Sequence, residues 1–435
     1  LQINRGEFAA AERSLREAEA GFRETGDLPA LPLTWIGLAT VLRYRGECAA
    51  SLPLLDAAAE VQAGVGSSAY MDALIHLHRG AALWDLGHLG RGFAAVRTSV
   101  DLARRSGTPT LVVGCLRVLG RLLRAAGACE QALSCHQQAV ALAEQVSFGR
   151  GRVENLVGAG LDMLARGRAT AARPHLVEAV ALSRSHGPEM RAEALAALAG
   201  LCLDEWRLEP ARALAARAWA LAEQMELRFL QVQALLLLGR ALAGLERLSE
   251  AETALRRALE LADPPGYPLV RWEVLLDLAH LMSEAGRPDE ADRFREQARA
   301  VAETVLVGLE PPLGEAFRRR PAVRTLLGEA EGPLLPGQAR ALLARLGTPT
   351  GRPLRPGEQV AVIWSAAPVL QGPGKVAARR AHLLRLLSEA RAQGGDPSEE
   401  DLAQALGVSA RTVRSDVAAL RAAGRPVRTR GTRMG

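Results

Sequence analysis

The chain has 435 residues, 49% hydrophobic and only 4% aromatic, and its 80 Ala, 42 Gly and 17 Ser make up about a third of it. That composition disfavours an all-β fold and favours closely packed helices with few bulky knobs. Five Cys without a C-x-x-C pair give neither a disulfide framework nor a zinc ribbon, and no apolar run approaches the roughly 18–20 residues that span a bilayer. No charged-then-apolar leader stands at the start, so a cytoplasmic location is expected.

The net charge of +6 is unevenly placed. Residues 375–435 hold twelve basic and six acidic groups, while the remaining 374 residues hold 42 of each. A neutral body with a basic tail is the footprint of a chain that meets nucleic acid at one end.

A repeat fills the first 300 residues. Short turns recur at Gly6, Gly46, Gly87, Gly127, Gly167, Trp206, Glu246 and Gly286, with gaps of 39 to 41 residues. Seven residues before each turn, and five and twelve after it, the residue is Gly, Ala or Ser at all 23 positions, such as Gly80, Gly92 and Ser99. A random draw would supply about seven, so the period is real. Small residues at matched heights let two antiparallel helices approach closely, and Leu38, Leu119, Leu198, Leu238 and Leu278 fill the seam. One hairpin cannot bury its apolar face alone, so about eight must stack into a solenoid.

The segments Trp35-Ile-Gly-Leu-Ala running to Gly46, and Leu235-Leu-Leu-Leu-Gly running through Glu250-Ala-Glu-Thr-Ala-Leu-Arg-Arg-Ala258, resemble the tetratricopeptide repeat. The resemblance spans about residues 1–305 and implies an all-α, right-handed superhelical solenoid, with helices longer than the family's usual repeat of ~34 residues allows. Repeat four departs from the pattern, with Cys135-His136 where a large apolar residue is usual. Only five residues precede Gly6, so the sequence is expected to be the C-terminal part of a longer polypeptide.

The helical period stops after residue 305. Ten of the 23 prolines lie between Pro311 and Pro373, marking residues 306–374 as a connecting region, in which 337–346 reads as a short helix and 358–364 as a short strand. Residues 375–435 form the last unit. A helix is expected over 377–393, and a second opens at Pro397 with Glu399, Glu400 and Asp401 in its first turn. Gly407 ends it, Ser409 caps a third helix over 410–423, and Val413, Val417 and Leu420 share that helix's buried face.

The run from Asp401 to Leu420, with Ala403, Gly407 and Val413 at helix-turn-helix spacing, resembles the DeoR-type regulators, and 427–431 suggests a wing strand. The resemblance implies duplex DNA as a partner. Ser409 stands at the cap, Arg411, Thr412, Arg414 and Ser415 are on the side that reaches a major groove, and Arg428 and Arg430 on the wing meet phosphates. Asp416 is expected to support the fold instead. One such module offers few base-reaching side chains, so a homo-oligomer is expected. The order of repeats and DNA module resembles regulators in which an NTPase precedes both. No P-loop is present here, since the only lysine, Lys375, lacks the motif's following hydroxyl.

In tetratricopeptide arrays the first helix of each pair lines the concave face. That places Trp84, Arg117, Arg121, Arg124 and Leu161 in a groove. Three arginines on one helix face repel one another unless a negative group is near: either Glu154 and its neighbours pair with them internally, or an acidic protein or peptide segment is their partner in the groove. His76, His78 and His88 lack metal-ligand spacing, and Cys129 and Cys135 read as small buried residues. No cofactor and no catalytic constellation is indicated. The sequence therefore reads as a transcription regulator whose array senses a ligand or partner; a scaffold whose helix-turn-helix docks protein is the alternative.

Overall fold

The computed structural model describes residues 7–66, 68–262, 266–334, 337–355, 357–366 and 374–431; the first turn, at Gly6, lies outside them. Helix α1 (Phe8–Thr25) is followed by seven antiparallel hairpins. They pair α2 (Leu31–Tyr44) with α3 (Cys48–Val65), α4 (Ala69–Asp85) with α5 (Leu89–Arg105), and α6 (Pro109–Ala125) with α7 (Cys129–Gln145). Next come α8 (Gly149–Ala165) with α9 (Ala169–Leu182), α10 (Pro188–Asp204) with α11 (Leu208–Gln224), α12 (Arg228–Gly244) with α13 (Leu248–Ala262), and α14 (Pro268–Glu284) with α15 (Pro288–Gly308).

The turn positions are repeated for a backbone reason. Gly46, Gly87, Gly127, Gly167 and Gly286 all have φ between 68° and 88°, the left-handed conformation that closes a helix, and so do Trp206 at 57° and Glu246 at 62°. At the first of them the Glu47 N–H reaches back to the Leu42 carbonyl at 2.8 Å. A second left-handed series, midway between these turns, links the hairpins at Gly26, Gly66, Gly107, Ser147, Gly187, Glu226 and Tyr267.

The small positions set the distance within each hairpin. A Cβ at Gly80 would lie 2.8 Å from the Gly92 carbonyl oxygen, and one at Gly92 would lie 2.9 Å from the Trp84 nitrogen. The two helix backbones therefore touch, with Val96 filling the flank.

The array closes on itself after five repeats. Arg228 packs on Gly46, Pro268 on Gly87, Ala316 on Gly127 and Arg385 on Gly167. The Tyr267 N–H donates to the Asp85 carbonyl at 2.7 Å across this seam. Two short helices, α16 (Pro311–Arg318) and α17 (Pro321–Leu326), extend the spiral. Phe317 packs edge-on to Trp272 with centroids 5.7 Å apart.

Residues 337–346 are not a helix. They form β1 (Gln338–Arg345), antiparallel to β2 (Gln359–Ser365) from Gln338↔Ser365 to Ala344↔Gln359. Beyond α18 (Lys375–Ala392), β3 (Gly395–Asp396) adds to the other edge of β1, followed by α19 (Glu399–Leu406) and α20 (Ala410–Ala422). Leu343, Val360, Val362 and Trp364 cover the same core as Leu383, Leu387, Leu402, Val413 and Val417. That shared core is why helix-forming residues are drawn into an extended strand. The expected wing strand over 427–431 is also absent; a single parallel bridge joins Arg430 to Ser398.

Candidate nucleic-acid interface and ligand cavity

The C-terminal helices are locally well specified. Ser398 and Asp401 form a reciprocal capping box, with the Asp401 N–H donating to Ser398 Oγ at 3.1 Å and the Ser398 N–H to Asp401 Oδ2 at 2.8 Å. Gly407, at φ 64°, ends α19, and Ser409 Oγ accepts the Thr412 N–H at 3.2 Å to start α20. Val413, Val417 and Leu420 are buried beneath.

The opposite face of α20 is exposed at Arg411, Arg414, Ser415, Ala418 and Ala422. Arg414 keeps two-thirds of its side chain exposed while its Nε donates to Glu399 at 2.9 Å, and Thr412 is half-buried against Ser409. Asp416 is buried and accepts from Arg379 Nε at 2.6 Å and Arg380 Nε at 2.8 Å, tying α20 to α18.

The wing arginines do not face outward with this helix. Arg428 pairs with Glu246 of the solenoid at 3.2 Å, and Arg430 donates to the carbonyls of Thr348 and Pro349 at 2.9 and 2.8 Å. The segment folds back because Val427 enters the core and the Pro426 carbonyl accepts from Trp206 Nε1 at 3.1 Å. Both guanidiniums thus have protein partners, Arg428 a carboxylate and Arg430 two carbonyls.

The coiled array encloses a cavity of about 910 Å³. Trp84, Arg117, Arg121, Arg124 and Leu161 all line it. Carboxylates of neighbouring repeats offset the charge of the three arginines unequally, and Arg43 and Arg117 still act against the charge on Arg121. Arg117 lies 3.4 Å from Glu154, Arg124 lies 3.0 Å from Asp162, and Arg121 lies 4.0 Å from Asp85. Asp85 is held more closely by Arg43, at 3.1 Å, while the Arg121 guanidinium sits 5.4 Å from the Phe229 ring centroid. Glu154 holds the Arg117 guanidinium above its ordinary pKa, whereas burial pushes that of Arg121 below it.

Further wall residues were not found from sequence. Arg43, Glu193 and Arg240 stand at the concave offsets three, thirteen and six before their turns, so the same periodicity could have reached them. Tyr267, Arg385 and Glu389 arrive only through the closure of the spiral. At this end Glu389 accepts from the Ser365 N–H at 2.7 Å and from Arg385 Nε at 2.8 Å. The nearby Asp204 carboxyl is pushed up to about 6 by burial.

Repeat four resolves its unusual histidine by pairing it. His136, 1% exposed, occupies space left by two glycines: a Cβ at Gly120 or Gly158 would lie 2.5 or 2.4 Å from the imidazole. His136 Nδ1 is 2.6 Å from Asp162 Oδ2, and Arg124 Nη1 donates to Asp162 Oδ1 at 3.0 Å. Burial lowers the His136 pKa, and it pushes His78 and His280 down to about 3.

Folded, burial disfavours the charged form of these imidazoles; unfolded, they take up protons below about 6.5. Their stability is thus fully present above that pH and is lost as pH falls. The histidine contribution to stability should fall between pH 7 and 5, by up to about 1.4 kcal/mol per histidine per pH unit, and the midpoint of thermal unfolding with it. Burial raises the carboxyls of Asp204, Glu193, Asp277, Glu284 and Asp396, whose protonation works in the opposite sense, so the histidine share is read from single variants. In His78→Gln the slope should be shallower; an unchanged slope would remove His78 from the account.

A tetratricopeptide repeat model matches residues 112–147, and a helix-turn-helix domain model matches residues 379–435. No curated protein matches the chain significantly. Among solved structures, a Rap protein complexed with competence and sporulation factor is similar at a TM-score of 0.53, with 12% identity, over 71% of this chain and 96% of that one. The Rap conjugation gene regulator of plasmid pLS20, in complex with the Phr* peptide, is similar at 0.50, with 15% identity, over 66% of this chain and 79% of that one. At these identities the likeness is one of fold. Among the described residues no helix is long and apolar enough to cross a membrane. The chain is a solenoid of tetratricopeptide repeats closed at its C-terminal end by a helix-turn-helix domain.

Proposed function

We propose that the protein is a cytoplasmic transcription regulator that holds a peptide in the solenoid cavity and binds duplex DNA through α20. The observation that carries this reading is the exposed face of Arg411, Arg414 and Ser415 on a helix-turn-helix whose helix α18 also walls the cavity. Similar solenoids are complexed with competence and sporulation factor and with the Phr* peptide, which supports a peptide as the cavity's occupant. The domain order supports the finer placement beside DeoR-type modules and regulators of the NTPase–repeat–helix-turn-helix class. The assigned role is binding, without a catalytic step.

The test is selection of genomic fragments by the full chain, followed by salt-dependent binding to the selected site. Arg411→Ala should weaken binding at least tenfold, about 1.4 kcal/mol, and relax preference at one base pair. Arg430→Ala should leave the salt dependence unchanged, because its guanidinium is engaged by two carbonyls. Equal loss from both exchanges would overturn the assignment of α20 as the reading helix. If no fragment is retained at any salt, the domain docks protein and the chain is a scaffold.

A further inference from the structure

The cavity is electrically polarised. At one end Arg43 is matched by Asp85 and Arg117 by Glu154, leaving Arg121 without a carboxylate oxygen within hydrogen-bonding distance. Its guanidinium lies against Phe229, and Tyr44 and Trp84 line the wall nearby. Glu193 stands in the field of Arg117 and Arg121, and burial raises its carboxyl pKa.

At the other end the excess is negative. Asp204 lies in the fields of Arg385, Glu205 and Glu389, and the Arg385 guanidinium is packed on Gly167 and committed to Glu389 at 2.8 Å. Glu389 and Arg385 belong to α18, so this end of the cavity is built partly by the DNA-binding domain. Glu193 and Asp204 are eleven residues apart on α10, about 16 Å at the helical rise.

We propose, resting on the peptide-sensor reading, that the cavity recognises both free ends of a linear peptide, the terminal carboxylate at Arg121 and the terminal ammonium at Asp204 beside α18. A guanidinium with no bound carboxylate is a ready partner for a carboxylate, and a carboxylate held among apolar and acidic neighbours gains most from an ammonium. An acidic segment inside a longer protein supplies neither terminal pair. The occupant is therefore a short processed peptide, and its amino end touches the domain that carries α20.

The full chain is incubated with mixed-sequence linear peptides of roughly four to seven residues, lengths that bracket about 16 Å when extended. Four pools are compared: free at both ends, N-acetylated, C-amidated, and blocked at both ends. Bound peptides are counted by mass spectrometry. Either block should lower retention at least about tenfold. Asp204→Asn should abolish discrimination against the N-acetyl pool alone, and Arg121→Gln against the C-amide pool alone. Both variants should unfold at or above the wild-type temperature, since each removes a poorly compensated charge. Equal retention of all four pools by the wild type would overturn end recognition while leaving a peptide sensor standing. Retention of none would overturn both.

Discussion

Trp206→Gly should detach the helix-turn-helix domain from the solenoid while leaving the repeats folded. At this turn position six other repeats have glycine, and Trp206 is held at φ 57°, a conformation that costs a side chain about 1–2 kcal/mol. The indole more than offsets that strain. It is 5% exposed within the core formed by Leu383, Leu387, Val413 and Val427, donates to the Pro426 carbonyl at 3.1 Å, and lies 5.3 Å beneath the Arg391 guanidinium. Emptying that site should cost about 3–5 kcal/mol, against which the relieved backbone returns only part. Calorimetry should then resolve two transitions where the wild type shows one, with the earlier belonging to residues 337–431. Glu246→Gly is the control: it relieves the same backbone conformation at φ 62° but removes only the exposed pair with Arg428, so it should be neutral or stabilising. A single transition for Trp206→Gly at the wild-type temperature would show that the indole does not dock the domain.

That residue also illustrates what could be read from sequence. The period of the turns was visible because each needs a left-handed residue, and the small positions were visible because two helix backbones touch at Gly80 and Gly92. Asp416 could be assigned to the fold from its place beside Val413 and Val417. What was hidden depends on contacts across the spiral. Residues 338–345 are good helix formers locally and become strand only because β2 and β3 pair on both edges. Arg428 turns toward the solenoid because Glu246, 182 residues earlier, is brought beside it. The counter-charges of the groove arginines were within reach. Arg124 and Asp162 are 38 residues apart and Arg240 and Asp277 are 37 apart, so opposite charges just under one period apart mark pairs between adjacent repeats.

Asp162→Ala should be the most damaging single exchange inside the repeats. The carboxylate is fully buried and divides its two oxygens between Arg124, 21% exposed, and the buried imidazole of His136. In other hairpins the place of His136 belongs to Val96, Leu176 or Leu255, packed on Gly80, Gly160 or Gly239. Here the polar ring persists only because Asp162 satisfies it. Removing the carboxylate deprives a guanidinium and an imidazole of repeat four of their partner from repeat five, a loss of about 3–5 kcal/mol. For a body of this size the unfolding temperature should drop by on the order of 10 °C. Asp162→Asn, which retains a hydrogen-bonding side chain, should lose less. His136→Ala alone opens a cavity, but in the Asp162→Ala background it should add little, because the pair acts as one unit; the cycle should show coupling of about 2 kcal/mol. Additive effects would mean that Asp162 serves Arg124 alone. Arg124 also lines the cavity, so Asp162→Ala should release its guanidinium toward the peptide's carboxylate end and raise retention of peptides free at the carboxyl terminus even as the fold weakens.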